Sequence, residues 1–234
     1  MKAILFDLDG TLLPMDQELF VKAYLKLLAK HLMPKGYDPD LLVKSVWKGT
    51  EAMVKNDGSQ INEKVFWQVF AEIHGEDALK DKPYIDEFYF NDFKLTKDTC
   101  GFNKAAREVI DYAKAHFDKV ILATNPIFPQ EATFNRLRWA GLEVEDFDLV
   151  TTYENSSFCK PNPEYYKEII TKMGLDAKDC IMVGNDIVED MAAKTLGMDG
   201  FVVTDCLINK KNEDVNNYSH GRLDELISWL ENRK

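Results

Sequence analysis

At 234 residues the chain can bury a hydrophobic core, as one domain or as a domain carrying a large insertion. Its 45% hydrophobic and 29% charged residues are those of an ordinary globular protein, and no apolar run approaches the length of a membrane span. The net charge of −11, with no basic cluster, argues against nucleic acid or an anionic membrane as partner; a small anionic substrate held by a few local cations remains compatible.

The start, MKAILFDLDG, breaks its apolar stretch with charge before reaching the length of a signal sequence, so a cytoplasmic location is expected. Ala3-Ile4-Leu5-Phe6 reads as a first buried strand. Asp7-Leu8-Asp9-Gly10-Thr11 follows it directly. In open parallel sheets ligands bind beyond the carboxyl ends of the strands, so both carboxylates are expected where a substrate sits. An aspartate there can attack phosphorus. A second carboxylate two residues on can protonate a leaving oxygen and later deprotonate water. A calcium loop of the EF-hand type also begins Asp-x-Asp, but Leu12 stands where its glycine belongs and no helix precedes it.

Residues 14–98 are too many for a simple crossover. They carry helical patterns of their own: Phe20, Tyr24, Leu27 and Leu28; then Leu42, Val46, Met53 and Val54, started by Asp38-Pro39; then Phe66, Val69, Phe70 and Ile73, stopped by Gly75. An aromatic run around Phe88, Tyr89, Phe90 and Phe93 makes a fourth. The segment reads as a helical insert after the first strand, with Trp47, Lys48 and Thr50 as candidates to face a pocket. The alternation of strand and helix then resumes. A helix over residues 103–117 leads to the strand Val120-Ile121-Leu122-Ala123, followed by Leu149-Val150, Cys180-Ile181-Met182-Val183 and Phe201-Val202-Val203. Asn162 and Pro163 start a helix that Gly174 ends, and Leu223, Leu226, Ile227 and Leu230 cover one face of a last one. Four cysteines without paired spacing read as structural or incidental thiols.

Three further sites fall at strand ends or beside them. Thr124-Asn125 offers a hydroxyl and amides to phosphate oxygens. Lys160 stands in Cys159-Lys160-Pro161-Asn162-Pro163, where flanking prolines stiffen the backbone and aim the side chain. Gly184-Asn185-Asp186, with Glu189 and Asp190 close behind, supplies carboxylates that can complete a magnesium shell shared with Asp7. Nucleophile, acid/base, cation, phosphate donors and metal ligands together make a full set for phosphoryl transfer, where positioning and charge neutralisation dominate.

In these four motifs the chain resembles the haloacid dehalogenase-like hydrolase superfamily, and its helical insert resembles the cap of the C1 subclass. The resemblance implies an α/β fold: a Rossmann-like parallel-sheet core from residues 1–13 and 99–234, flanked by helices, with an all-helical cap at 14–98 closing over the active site. It implies that Asp7 attacks phosphorus and binds Mg2+, and that Asp9 is the general acid/base and gives its backbone carbonyl to the metal. Thr124 and Asn125 contact phosphate, and Lys160 balances the charge of nucleophile and phosphoryl group. Asp186 binds the metal, with Asn185 and Asp190 in support around it. The fourth motif of the family usually reads Gly-Asp; here Asn185 follows Gly184 and the aspartate comes one place later. Within the superfamily Asp9 favours phosphatases over dehalogenases, which lack an acid/base there. The expected activity is magnesium-dependent hydrolysis of a small phosphorylated metabolite through an aspartyl phosphate. A phosphosugar mutase of the same fold, or a non-catalytic phosphate-binding module, is the alternative.

Overall fold

Every side chain of β1 (Ala3–Phe6) is buried, as a strand covered on both faces requires. The computed structural model describes residues 2–233. In it β1 is central in a six-stranded sheet with β2 (Lys119–Leu122), β3 (Leu149–Val150), β4 (Cys180–Gly184), β5 (Asp199–Val203) and β6 (Ser219–Gly221). The order is β3-β2-β1-β4-β5-β6 and every pairing is parallel. Leu5 sits opposite Ile121 on one side and Met182 on the other. The fold is thus the expected Rossmann-like α/β class, with one strand, β6, beyond the five predicted.

Successive strand residues point to opposite faces and divide the core in two. Ile4, Phe6, Val120, Leu122, Ile181 and Val183 pack on one side with α5 (Ala105–His116), α6 (Gln130–Trp139) and α8 (Leu226–Glu231). Leu5, Ile121, Met182 and Val202 pack on the other with Tyr165, Tyr166 and Ile169 of α7 (Pro163–Met173). That helix begins as its sequence dictates. The Asn162 side chain accepts the Glu164 N–H at 3.0 Å, Pro163 takes the first helical position, and Gly174 closes the end at φ 64°.

Between β1 and α5 lie α1 (Gln17–Leu32), α2 (Pro39–Val54), α3 (Asn62–His74) and α4 (Lys82–Phe90), and none of this segment joins the sheet. Asp16 and Asp38 cap α1 and α2 through their side chains, and Gly75 ends α3. The two connections to the rest of the chain run side by side: Met15 bridges Cys100, and the Gly101 N–H donates to the Pro14 carbonyl at 2.7 Å. Phe20, Tyr24, Leu28, Leu42, Val46, Met53 and Phe70 are buried as their spacing predicts. Val54, expected in the same pattern, is instead 40% exposed as the last residue of its helix, and Phe90 of the aromatic run is 53% exposed at the end of α4. Aromatic rings join this segment to the rest. Tyr24 meets Phe128 edge-on at 5.2 Å, and Phe93 stacks on Trp139 at 5.5 Å.

Asn62, at the start of α3, is fully buried. Its amide nitrogen lies 3.2 Å from the Pro126 carbonyl and 3.3 Å from the Cys159 sulfur, while its oxygen accepts from Asn56 at 2.9 Å. Among the described residues no helix is long and apolar enough to cross a membrane.

Candidate active site

The strand order reverses direction between β1 and β4, and their carboxyl ends flank the crevice that such a switch point opens. Asp7 leaves β1 with its N–H on the Val183 carbonyl at 2.9 Å, and the chain then folds back, Thr11 and Leu13 both donating to the Leu8 carbonyl. This turn needs Gly10. Its φ is +87°, and a Cβ there would lie 2.3 Å from Asn185 Nδ2. Gly184 answers it at the end of β4, where a Cβ would meet Asp190 Oδ2 at 2.1 Å. A side chain at either place would have to displace the Asn185 or Asp190 side chain that fills the space.

Asp7 is held at both oxygens. Lys160 Nζ donates to Oδ1 at 2.8 Å, and the Thr11 hydroxyl lies 3.2 Å from Oδ2 and 3.0 Å from Asn185 Oδ1. Lys160, 1% exposed, also donates to Asp190 Oδ1 at 2.7 Å, and Asp190 Oδ2 accepts the Asp186 N–H at 2.9 Å. Burial alone would push the lysine's pKa down; the carboxylates of Asp190 and Asp7 outweigh it and hold the ammonium well above the ordinary lysine range. At Asp190 burial is the larger effect and lifts the carboxyl, against the opposing pull of Lys160.

The structure brings the expected residues to one pocket of about 150 Å³, lined by Asp7, Asp9, Thr124, Asn125, Asp186 and Asp190 among others. Lys160 is not in its wall; it lies behind Asp7 and Asp190. Thr124 follows β2, its carbonyl fixed by the Thr151 hydroxyl at 2.7 Å and the Tyr165 hydroxyl at 2.8 Å. The Asn125 side chain is spoken for: Oδ1 accepts the Lys160 N–H at 3.2 Å and Nδ2 donates to Glu189 at 3.0 Å. What it can offer a phosphate is its backbone. Asn185 spends its amide on Thr11 and on the Cys206 carbonyl, 2.6 Å away, and so braces the two motifs against each other.

Asp9 has a partner that sequence reasoning did not find. Arg136, on α6 and 1% exposed, pairs with Asp9 Oδ2 and stands over the Phe128 ring at 4.6 Å. Asp9 Oδ1 is buried and has no hydrogen-bond partner among the described residues. Burial pushes the Asp9 carboxyl up; Arg136 opposes this and the nearby Asp7 adds to it. The one signal available in the sequence was an arginine within a helix that has no clean apolar stripe. Gln17 and Lys210 also reach the pocket wall, both from exposed positions.

Among the described residues no three His, Cys, Asp or Glu side chains gather round a common point. Two carboxylates still offer hard oxygens to a cation: Asp7, and Asp186, whose Oδ1 accepts from the Val188 and Glu189 N–H groups and whose Oδ2 has no hydrogen bond among the described residues. Few anionic oxygens and room for water fit magnesium, which dehydrates reluctantly.

A parallel α/β sheet with paired carboxylates and a buried lysine at its switch point defines a hydrolase of the haloacid dehalogenase type. Residues 1–197 match the haloacid dehalogenase-like hydrolase family, and the chain belongs to it. A curated relative, the pyrophosphatase PpaX of Bacillus velezensis, is 25% identical over 195 residues, covering 83% of this chain and 79% of that protein. Among solved structures, a 2-haloacid dehalogenase from Pseudomonas syringae pv. Tomato superposes over 100% of both chains with a TM-score of 0.63 at 18% identity. The magnesium-bound hydrolase YfnB of Bacillus subtilis covers 98% of both chains, with a TM-score of 0.57 and 18% identity. At such identities the likeness is one of fold.

Proposed function

We propose that this hydrolase cleaves small phosphate monoesters through a phosphorylated Asp7. The observation that carries the reading is the pairing of Asp7, held by Lys160 and Thr11, with a second carboxylate, Asp9, in one pocket at the switch point. An Asp7 oxygen forms a bond to phosphorus as the bond to the ester oxygen breaks, and Asp9 gives its proton to the departing alkoxide. Asp9, now a carboxylate, takes a proton from water. That water attacks the phosphorus, the bond to Asp7 breaks, and inorganic phosphate leaves. Lys160 offsets the charge of Asp7 from behind, and Thr124 with the Asn125 backbone holds phosphoryl oxygens. Magnesium, held by Asp7, Asp186 and the Asp9 carbonyl, supplies charge neutralisation at those oxygens when bound.

The same reading makes residues 14–98 a cap over a core of 1–13 and 99–234. It is supported by the paired connections at Met15 and Cys100 and by the reach of Gln17, Phe20 and Val21 into the pocket. Acid/base help of the kind assigned to Asp9 is typically worth ~10²–10⁴-fold. With p-nitrophenyl phosphate and magnesium, Asp9→Asn is expected to turn over slowly and to accumulate a phosphate adduct on the Asp7 peptide, seen by mass spectrometry. Phosphate on another residue, or full turnover by Asp7→Asn, refutes the mechanism.

A further inference from the structure

Beside the catalytic pocket lies a second cavity, of about 80 Å³, between α1, α2, α3 and α4. The two share a wall, since Val21, Ile127 and Phe128 line both. Among the described residues no charged side chain lines the second cavity, and several of its few polar groups bond one another. The Tyr24 and Tyr89 hydroxyls bond each other at 3.0 Å, Trp67 Nε1 donates to the Tyr153 hydroxyl at 3.4 Å, and the Thr50 hydroxyl donates to the Val46 carbonyl at 2.9 Å. Trp47 lines it while 53% exposed, so the space also borders solvent along α2. Lys48, the other candidate from α2, lines neither cavity.

We infer that this cavity is the leaving-group lobe of the active site, and that the substrate is the phosphate ester of an aliphatic or aromatic alcohol rather than of a sugar or nucleoside. The inference rests on the phosphatase reading above and narrows it to a substrate class. A phosphorylated Asp7 fixes where phosphorus lies, and the ester's organic group must leave the pocket along one of its walls. Val21, Ile127 and Phe128 form the wall beyond which that apolar space lies. A polyol placed there would lose its hydration and find few polar partners, none of them charged. An alkyl or aryl group loses nothing of that kind and gains contact with Leu28, Val46, Trp67 and Phe70. Each methylene moved from water into such surroundings strengthens binding about fourfold.

The test is a series of n-alkyl phosphates from ethyl to octyl, with glucose 6-phosphate and pyrophosphate as polar controls, all with excess magnesium. The expected kcat/KM climbs about fourfold per methylene until the lobe is full, and hexyl phosphate exceeds both polar controls at least tenfold. Thr50→Phe, which fills the lobe from α2, is expected to lower the hexyl-to-ethyl ratio of kcat/KM at least tenfold. Phosphate release that is flat along the series, or fastest from the polar controls, overturns the lobe and leaves the phosphatase reading standing. A second measurement separates the two ideas: titration of 1-hexanol followed by tryptophan emission, since Trp47 and Trp67 stand in the wall. Binding of hexanol that Thr50→Phe abolishes supports the lobe even if no ester is hydrolysed, in which case the phosphatase reading alone fails. No hexanol binding by the unaltered protein overturns the lobe.

Discussion

Arg136 on α6 pairs with Asp9 in the turn after β1, across 127 residues of chain, with its guanidinium over the Phe128 ring. The contact ties a helix on one face of the sheet to the loop that carries both carboxylates. Breaking a buried pair strands a charge, which typically costs about 3–5 kcal/mol, and Asp9 retains some solvent contact, so about 2–4 is expected for Arg136→Met. A double-mutant cycle with Asp9→Asn, followed by denaturant unfolding, is expected to return at least ~1 kcal/mol of coupling. Additive effects of the two substitutions would show that the pair contributes only its separate packing.

Lys160 gives a second test of the same kind. Its ammonium pairs with two carboxylates at once, so Lys160→Met leaves Asp7 and Asp190 without a shared cation. A loss of about 3–5 kcal/mol in unfolding free energy is expected. Lys160→Met combined with Asp190→Asn should recover part of it, because only one buried charge then remains. No recovery in the double variant would place the cost in lost packing instead.

The fourth motif separates metal binding from bracing. Asp186 keeps an uncommitted oxygen, whereas both ends of the Asn185 amide are already bonded. Asp186→Asn, which keeps an oxygen for the Val188 and Glu189 N–H groups, is expected to raise the magnesium concentration for half-activation at least tenfold with little change in melting temperature. Asn185→Ala should do the reverse, lowering the melting temperature by roughly 2–6 °C for one to two lost hydrogen bonds. Equal magnesium requirements in the two variants would mean that the ligand is misassigned.

Asp146 offers a pH test away from the site. Burial would raise its carboxyl, but hydrogen bonds from Arg107 at 2.6 Å and Lys114 at 2.7 Å prevail and hold it below the ordinary range. A carboxyl depressed in the folded state stabilises fully above its unfolded pKa, near ~3.9, and loses that stabilisation as pH falls through the folded value. Asp146→Asn is expected to destabilise by roughly 1–2 kcal/mol at pH 7. The difference from the unaltered protein should hold down to about pH 5 and shrink steadily below pH 4. A gap unchanged at pH 3 would remove the ion pairs as its cause.

Much of this was legible because it is local. The strand before Asp7 shows in four consecutive apolar residues, the turn after it in Asp-Gly, and α7 in its Asn-Pro start and Gly stop. What sequence could not supply was pairing at long range. Lys160 reads as an aimed lysine, but its partners lie 153 and 30 residues away. Arg136 was invisible because α6 buries Thr133, Asn135 and Arg136 together, so no apolar rhythm marks its inner face. β6 was missed because Ser219-His220-Gly221 has no strand composition; it is an edge strand, held by its pairing with β5.

The position of Asn62 ties three segments of the chain together. Its amide reaches the Pro126 carbonyl, next in the chain after Asn125, and the Cys159 sulfur, next before Lys160. A substitution that shortens this side chain, such as Asn62→Ala, therefore removes one tether from each of the two segments that lead to Asn125 and Lys160 at the same time. One buried amide thus makes the seating of α3 and the placement of both segments a single fastening rather than two.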